Sequence, residues 1–317
     1  MKKNMRDIII IGGGPAGYTA GLYAARARMN VLLVESLSVL GQAAMTEVIE
    51  NYPGVEKTGG IELVMSFKKQ AEAFGLECCQ QTAKNISQRD ESGSLVWRVE
   101  DETGVNESLA LIIASGARAK KLQVPGEEEF AGRGVSYCAT CDAPFFKEKD
   151  IVVVGGGDTA VQEALFLTRF GKKVTIVHRR DRLRASGILR ERVSANKKME
   201  FVWNSVVEEI RGAKTVEKVR VKDLKTGKKS DIPCDGVFIF TGWRPNTDFL
   251  GESGARMNKT GHVITDRDMK TSQDGIFAAG DCCEKSLNQV ITACGDGAVA
   301  AFSAQHYVEK LKGTAYE

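Results

Sequence analysis

Residues 6–26, RDIIIIGGGPAGYTAGLYAAR, set a short apolar run directly ahead of three glycines and an alanine-rich helical pattern. The segment reads as a buried strand, a glycine turn and an amphipathic helix. Gly12, Gly14 and Gly17 spell G-x-G-x-x-G, and the next apolar strand, VLLVE, ends at Glu35. Glycines at this spacing allow a tight turn and let the backbone and the helix N-terminus approach a pyrophosphate. Alone the pattern is weak. The strand before it, the helix after it and the acid beyond make it specific.

The plan recurs at residues 149–180, KDIVVVGGGDTAVQEALFLTRFGKKVTIVHRR, with Gly155, Gly157 and Ala160 in the fingerprint positions. Counted from the first glycine, Glu35 and His178 fall at the same offset of twenty-three residues. Each half continues into a predicted β-hairpin, residues 94–116 and 218–242, and closes with an apolar strand and a glycine, Gly116 and Gly242. A further element, residues 271–308, holds an apolar strand ending in Ala279-Gly280-Asp281, followed by a long helix. Because it follows the second nucleotide unit, that unit reads as inserted into the first, with crossings near Ala117 to Lys121 and Trp243 to Asn246. The expected class is α/β, with two Rossmann-like dinucleotide-binding domains of the three-layer, FAD/NAD(P)-binding type, the second inserted into the first. Residues 1–117 and 247–317 would form one domain and 118–246 the other, in keeping with a length of 317 residues at roughly 150 per domain.

The two turns differ in the chemistry they invite. A carboxylate at the end of the second strand pairs with ribose hydroxyls and repels a 2′-phosphate, so Glu35 suits FAD or NAD. At the second turn the strand runs into HRRDRLRAS, with Arg179, Arg180 and Arg184 close by. Guanidinium groups bind phosphate through charge-assisted, often bidentate bonds, which suits NADPH. The competing reading is a solvated basic face on a helix from Arg180 to Val193, carrying Arg190 and Arg192. Asp281 could accept from a ribityl hydroxyl, with the helix N-terminus near Gln289 facing a flavin carbonyl. A strand-to-helix turn with a capping aspartate is the alternative.

The net charge of +3 gives no reason to expect nucleic acid or an anionic membrane as partner. Apolar runs such as Ile8–Ile11 and Val237–Phe240 are far too short to span a bilayer. The opening MKKNMRDIIIIGGG is basic, but its apolar run lacks the length of a signal peptide. These features lead us to expect a soluble, cytoplasmic protein whose eight cysteines are mostly reduced.

Residues 134–146, GVSYCATCDAPFF, break that pattern with Cys138 and Cys141 spaced as CxxC. By themselves these residues fit half a zinc site, a buried structural pair or a working disulfide. Structural zinc usually needs four Cys or His ligands, and the chain has three histidines, none flanking this segment. The other pairs, Cys78-Cys79 and Cys282-Cys283, are adjacent and poorly suited to complete a tetrahedron, so no metal is expected. A CxxC entering a helix favours thiol–disulfide exchange. The remaining cysteines read as small hydrophobes.

Taken together, GGGPAG, ENYPG, CATCD, GGGDTAVQEA, HRRDRLRAS and FAAGD resemble, in order and spacing, the low-molecular-weight thioredoxin reductases over essentially the whole chain. The resemblance implies a homodimeric flavoenzyme passing electrons from NADPH through FAD to a CxxC disulfide and on to thioredoxin. It implies FAD contacts from Gly12, Gly14, Pro15, Ala16, Gly17, Glu35, Ser36, Gly41, Gln42, Asn51, Ala114, Gly116, Gly280, Asp281, Gln289 and Val290. It implies NADPH contacts from Gly155, Gly157, Asp158, Thr159, Ala160, His178, Arg179, Arg180 and Arg184. Cys141 would receive electrons against the flavin, and Cys138 would attack the partner's disulfide. Asp142 is placed to move protons, an N-cap or surface aspartate being the alternative. Departures from the family's pattern fall at Leu40-Gly41-Gln42, Ser115, Ala143-Pro144 and Asn288. With CATC in the inserted domain, disulfide and nicotinamide would share one body that rotates to present each in turn to the flavin. A reductase of another thioredoxin-like or glutaredoxin-like partner, and a flavin dithiol oxidase, are the alternatives. The oxidase would have no need of HRRDRLRAS. A peroxide-pathway reductase would usually carry an extra N-terminal thiol domain, which is not expected here, and a ferredoxin-fed reductase would have little use for the arginines.

Overall fold

The computed structural model describes residues 5–36, 41–45, 49–91, 94–251 and 253–315, without the side chains of residues 90, 91, 94, 140 and 141. The opening residues 1–4 and Leu40 therefore lie outside the described residues. The chain divides into two compact units, Met1–Arg118 with Arg244–Glu317, and Ala119–Trp243.

In the first unit β1 (Met5–Ile11), α1 (Pro15–Arg26) and β2 (Val31–Glu35) form the strand–turn–helix–strand expected from residues 6–35. After them come α2 (Gly60–Ala73), β3 (Glu77–Gln80), β4 (Asn85–Glu91), β5 (Ser94–Glu100) and β6 (Val105–Ile113). The sheet runs β3-β2-β1-β6-β5-β4. β1 pairs in parallel with β2 and β6, while β4, β5 and β6 form an antiparallel meander. Both faces of β1 are buried: Ile8 and Ile10 pack on the side of α1, and Ile9 and Ile11 pack with Trp97 and Leu111 on the other. Burial on both faces is why this strand reads as an unbroken apolar run rather than an alternation.

β7 (Ala117–Ala119) leads out of the first unit. The second unit then contains β8 (Val135–Ser136), α3 (Ala139–Asp142), β9 (Asp150–Gly155), α4 (Asp158–Leu167), β10 (Lys173–Val177), α5 (Gly187–Ala195) and β11 (Met199–Val202). It ends with the antiparallel sheet of β12 (Ser205–Gly212), β13 (Val216–Asp223) and β14 (Lys229–Pro233), and with β15 (Gly236–Phe240). Its parallel sheet has the order β11-β10-β9-β15-β8, the same arrangement around the glycine turn as β3-β2-β1-β6. β16 (Trp243–Pro245) pairs with β7 where the chain returns. β17 (Ile276–Ala278) then joins β6 in parallel, and α6 (Val290–Lys312) packs its small residues Ala300, Ala301 and Ala304 into the core beside α1. The fold is thus the α/β plan with a second dinucleotide-type sheet inserted into the first.

The competing reading of the basic segment fails. Residues 180–186 are not helical; α5 begins only at Gly187. The Arg184 N–H donates to Gly156 O at 2.7 Å and the Ser186 N–H to Asp158 Oδ1 at 2.6 Å. These bonds tie the basic segment to the glycine turn, so a continuous basic helix face from Arg180 to Val193 does not form.

Candidate active site

The first cradle is built by the β1–α1 turn. Gly12 has φ +116°, and a side chain there would run into the Ala114 carbonyl at the end of β6. Only glycine meets both conditions. At Gly14, by contrast, an added Cβ would meet nothing, so that side of the turn is open for a ligand. Pro15 occupies the first turn of α1, where its missing N–H costs nothing. Two other expected residues, Gly41 and Gly280, approach this turn. Gly41 lies beside Gly14, Gln42 opens the short 3-10 turn Gln42–Met45, and Gly280 at φ +78° lies against Ala16. Gly116 accepts from the Asn246 N–H at 2.9 Å, and the Ser36 hydroxyl accepts from Thr82 at 3.1 Å. Ser115 is tied back as well, its hydroxyl donating to Asn246 O at 2.6 Å.

Asp281 follows β17, and its Oδ1 is buried without a hydrogen-bond partner. Burial raises its pKa, opposed by nearby Lys285. A buried, unsatisfied carboxylate oxygen is costly unless a ligand hydroxyl reaches it. Gln289 is the N-cap of α6, engaged in a capping box with Thr292, and its Oε1 accepts from Asn51 Nδ2 at 2.9 Å. Its side chain therefore closes the helix end, with Val290 as the first helical residue.

Four residues that the sequence did not single out organise this cradle. Glu35 ends β2 as expected, but its carboxylate is held by Tyr18 Oη at 2.5 Å and Lys68 Nζ at 2.6 Å. Asp296 on α6 accepts the Gly280 N–H at 3.1 Å and pairs with Lys285 at 2.5 Å. Tyr18 sits inside the fingerprint helix and could have been found there; Lys68, Lys285 and Asp296 carry no local signal.

The second cradle repeats the design. Gly155 has φ +156°, Gly157 caps α4, and Ala160 is buried behind the turn. Asp158 and Thr159 form the first turn of α4, the Asp158 carboxylate being taken up by Ser186. His178, just after β10, is 5% exposed, and its ring covers Gly156. Its Nε2 has no partner, and burial, followed by Arg184, Arg179 and Arg180, lowers its pKa. A depression beside it is lined by Arg180, Arg182, Arg184, Ser186, Gly187 and Arg190. Arg179 is exposed but does not line it.

Cys138 stands immediately before α3 and is disulfide-bonded. The side chains of Thr140 and Cys141 lie outside the described residues. Ala139 of α3 and Ala143 just after it are buried in one core cluster with Val161 and Ala164 of α4. The Ser136 hydroxyl accepts the Cys138 N–H and donates to Cys138 O, both at 3.1 Å. Asp142 is half-buried, with no side-chain cap bond to the turn that follows it. Cys78, Cys79, Cys234, Cys282, Cys283 and Cys294 are free. The adjacent Cys282 and Cys283 are buried with Sγ atoms 4.0 Å apart, and Cys282 donates to the carbonyls of Ala279 and Ile113. Among the described residues no cluster of His, Cys, Asp and Glu could hold a metal ion, and no helix is long and apolar enough to cross a membrane.

Residues 6–297 match the family described as Pyridine nucleotide-disulphide oxidoreductase. The thioredoxin reductase of Bacillus subtilis is 47% identical over 314 residues, covering 99% of this chain and 98% of its own. That of Treponema pallidum is 45% identical over 307 residues, covering 96% and 98%. A crystal structure of Lactococcus lactis thioredoxin reductase superposes with a TM-score of 0.92 at 43% identity, covering 96% of this chain and 99% of that one. Two dinucleotide-type folds and a disulfide-bonded cysteine fit a nucleotide-linked disulfide oxidoreductase. The chain belongs to the pyridine nucleotide-disulphide oxidoreductases and, within them, to the low-molecular-weight thioredoxin reductases.

Proposed function

We propose that this chain reduces thioredoxin with electrons from NADPH, using FAD in residues 1–117 and 247–317, NADPH in residues 118–246 and a Cys138–Cys141 disulfide. The observation that carries the reading is the oxidised state of Cys138 at the head of α3, in a chain whose six other described cysteines are free. FAD suits the first cradle because Gly14 is open toward a ligand and Asp281 offers a buried, unpartnered oxygen. NADPH suits the second because His178 and Arg184 stand against its glycine turn, and Arg180 and Arg184 line a cationic depression that favours a 2′-phosphate. When bound, FAD would supply two-electron transfer between nicotinamide and disulfide. The chain's own residues do the rest. Glu35 and Asp281 orient the flavin nucleotide, the arginines bind the phosphate, and Asp142 holds or releases a proton as the disulfide opens. Two electrons and two protons convert Cys138–Cys141 to a dithiol. The Cys138 thiolate then attacks the partner's disulfide, and Cys141 resolves the mixed disulfide, releasing reduced thioredoxin and restoring the bond.

Anaerobic NADPH titration of the purified protein, followed by addition of thioredoxin, tests this reading. The wild type should hold about one FAD per chain, as one acid-ended fingerprint implies, and should turn over. Cys138→Ser and Cys141→Ser should both still bleach the flavin with NADPH and should both fail to reduce thioredoxin. Near-normal turnover by either variant would move the working disulfide elsewhere, with Cys282-Cys283 the next pair to test.

A further inference from the structure

Lys68 lies on α2, and no step described above uses it. Its ammonium is 2.6 Å from Glu35 Oε1, while the Tyr18 hydroxyl donates to Oε2 of the same carboxylate at 2.5 Å. All three groups are well shielded: Tyr18 is 2% exposed, and the Lys68 and Glu35 side chains are 19% and 16% exposed. Lys68 Nζ also stands 5.9 Å from the centre of the Tyr18 ring, so the three side chains form one packed unit. That unit is pressed against the fingerprint, because a side chain at Gly13 would collide with the Glu35 carboxylate.

The chemistry of this arrangement is specific. A carboxylate oxygen has two acceptor positions, and each oxygen of Glu35 has one in use. The remaining two point from a carboxylate whose rotamer is already fixed. A glutamate held this way loses its side-chain freedom on folding rather than on ligand binding, which strengthens a bidentate contact to a ribose diol. The hydrogen bond to Glu35 raises the Lys68 pKa, and burial followed by Glu35 raises that of Tyr18, so both remain donors across the neutral range. Among the described residues, Glu72, Cys78 and Cys79 are the other titratable groups that interact with the trio.

We propose that Lys68 and Tyr18 are positioning residues that hold Glu35 for the adenosine ribose of FAD, making affinity for that half of the cofactor depend on α2. The proposal rests on the assignment of FAD to the first cradle. It is tested by titrating the full-length apoprotein with FAD and, separately, with FMN, which has the flavin but lacks the adenosine. Lys68→Met and Tyr18→Phe should each weaken FAD by about tenfold to a hundredfold, the range for a hydrogen bond to a charged group. FMN affinity should not move, and Lys68→Arg should restore FAD binding to within a few fold of wild type. If the ratio of FAD to FMN affinity is unchanged in Lys68→Met, because neither moves or because both fall together, the positioning role is wrong while the flavin assignment stands. If the wild type binds neither flavin, both fail. Should Lys68→Met not fold, Lys68→Gln and Tyr18→Phe provide the same comparison.

Discussion

Glu35 and His178 occupy equivalent places after equivalent strands, and their surroundings give them opposite characters. Glu35 is an anion fixed between two donors, whereas His178 is a buried imidazole beside three arginines. The folded-state pKa of His178 is lowered, first by burial, so its neutral form favours the fold. Unfolded, the ring takes up a proton near the ordinary value of about 6.5. The stability it contributes is therefore fully present above that value and lost as pH falls below it. Denaturant midpoints should decline from about pH 7.5 to about pH 5.5, and His178→Gln should flatten that decline. An unchanged slope would remove His178 as its source. Arg180 and Arg184, which line the basic depression, should select NADPH. Replacing both by alanine should remove about 2–4 kcal/mol of NADPH binding, at roughly 1.5–3 kcal/mol for each charge-assisted bond. NADH kinetics should hardly change; equal losses for both nucleotides would mean that the arginines do not read the phosphate.

Elements matter here chiefly through their ends. α1 and α4 begin at glycines, and α6 begins at Gln289 within a capping box. α6 contributes a second device about two turns further along, where Asp296 accepts the Gly280 N–H and pairs with Lys285. This bond fixes the turn that carries Asp281, on a helix whose other face is core. Asp296→Asn keeps the shape but weakens both bonds, so it should lower stability by about 1–2 kcal/mol and weaken FAD binding as well. Chemical denaturation of the apoprotein and a flavin titration would show the two effects together. A loss of stability with unchanged flavin affinity would confine Asp296 to the helix.

At the scale of the whole molecule, the first unit leaves large apolar side chains exposed on two of its helices. Ile291, Val299 and Phe302 are exposed along α6, with Phe302 59% exposed and its ring 4.4 Å from that of His306. Ile61 and Met65 are exposed on α2. Exposed aromatic and aliphatic side chains are the residue types enriched at interface centres. The expected homodimer would bury these side chains. Phe302→Glu should then weaken self-association by about tenfold or more, as for an anchor residue. Sedimentation across a concentration series would show it, and a wild-type monomer at all concentrations would refute the assembly.

Much of this protein could be read from local patterns. The duplicated strand, turn and helix were legible because a doubly buried strand must be apolar throughout and a tight turn under a phosphate must be glycine, and both conditions act over a few residues. Glu35 and His178 followed from the repeated offset, and Asp281 and Gln289 from the apolar strand and long helix that come later. What the chain could not show locally are the bonds that hold those residues. Lys68 reaches Glu35 across 33 residues, Asp296 reaches Gly280 across 16, and Asn51 reaches Gln289 across 238. Each depends on which face of α2 or α6 lies beside a turn, and core packing over the whole unit sets that. The late start of α5 has the same origin, since Gly156 and Asp158 hold the basic segment in a loop where local pattern suggested a helix. Backbone spacing therefore decided where the glycine turns lie, and tertiary packing decided which side chains stand fixed beside them, because a side chain is immobilised only by neighbours the chain brings back from far away.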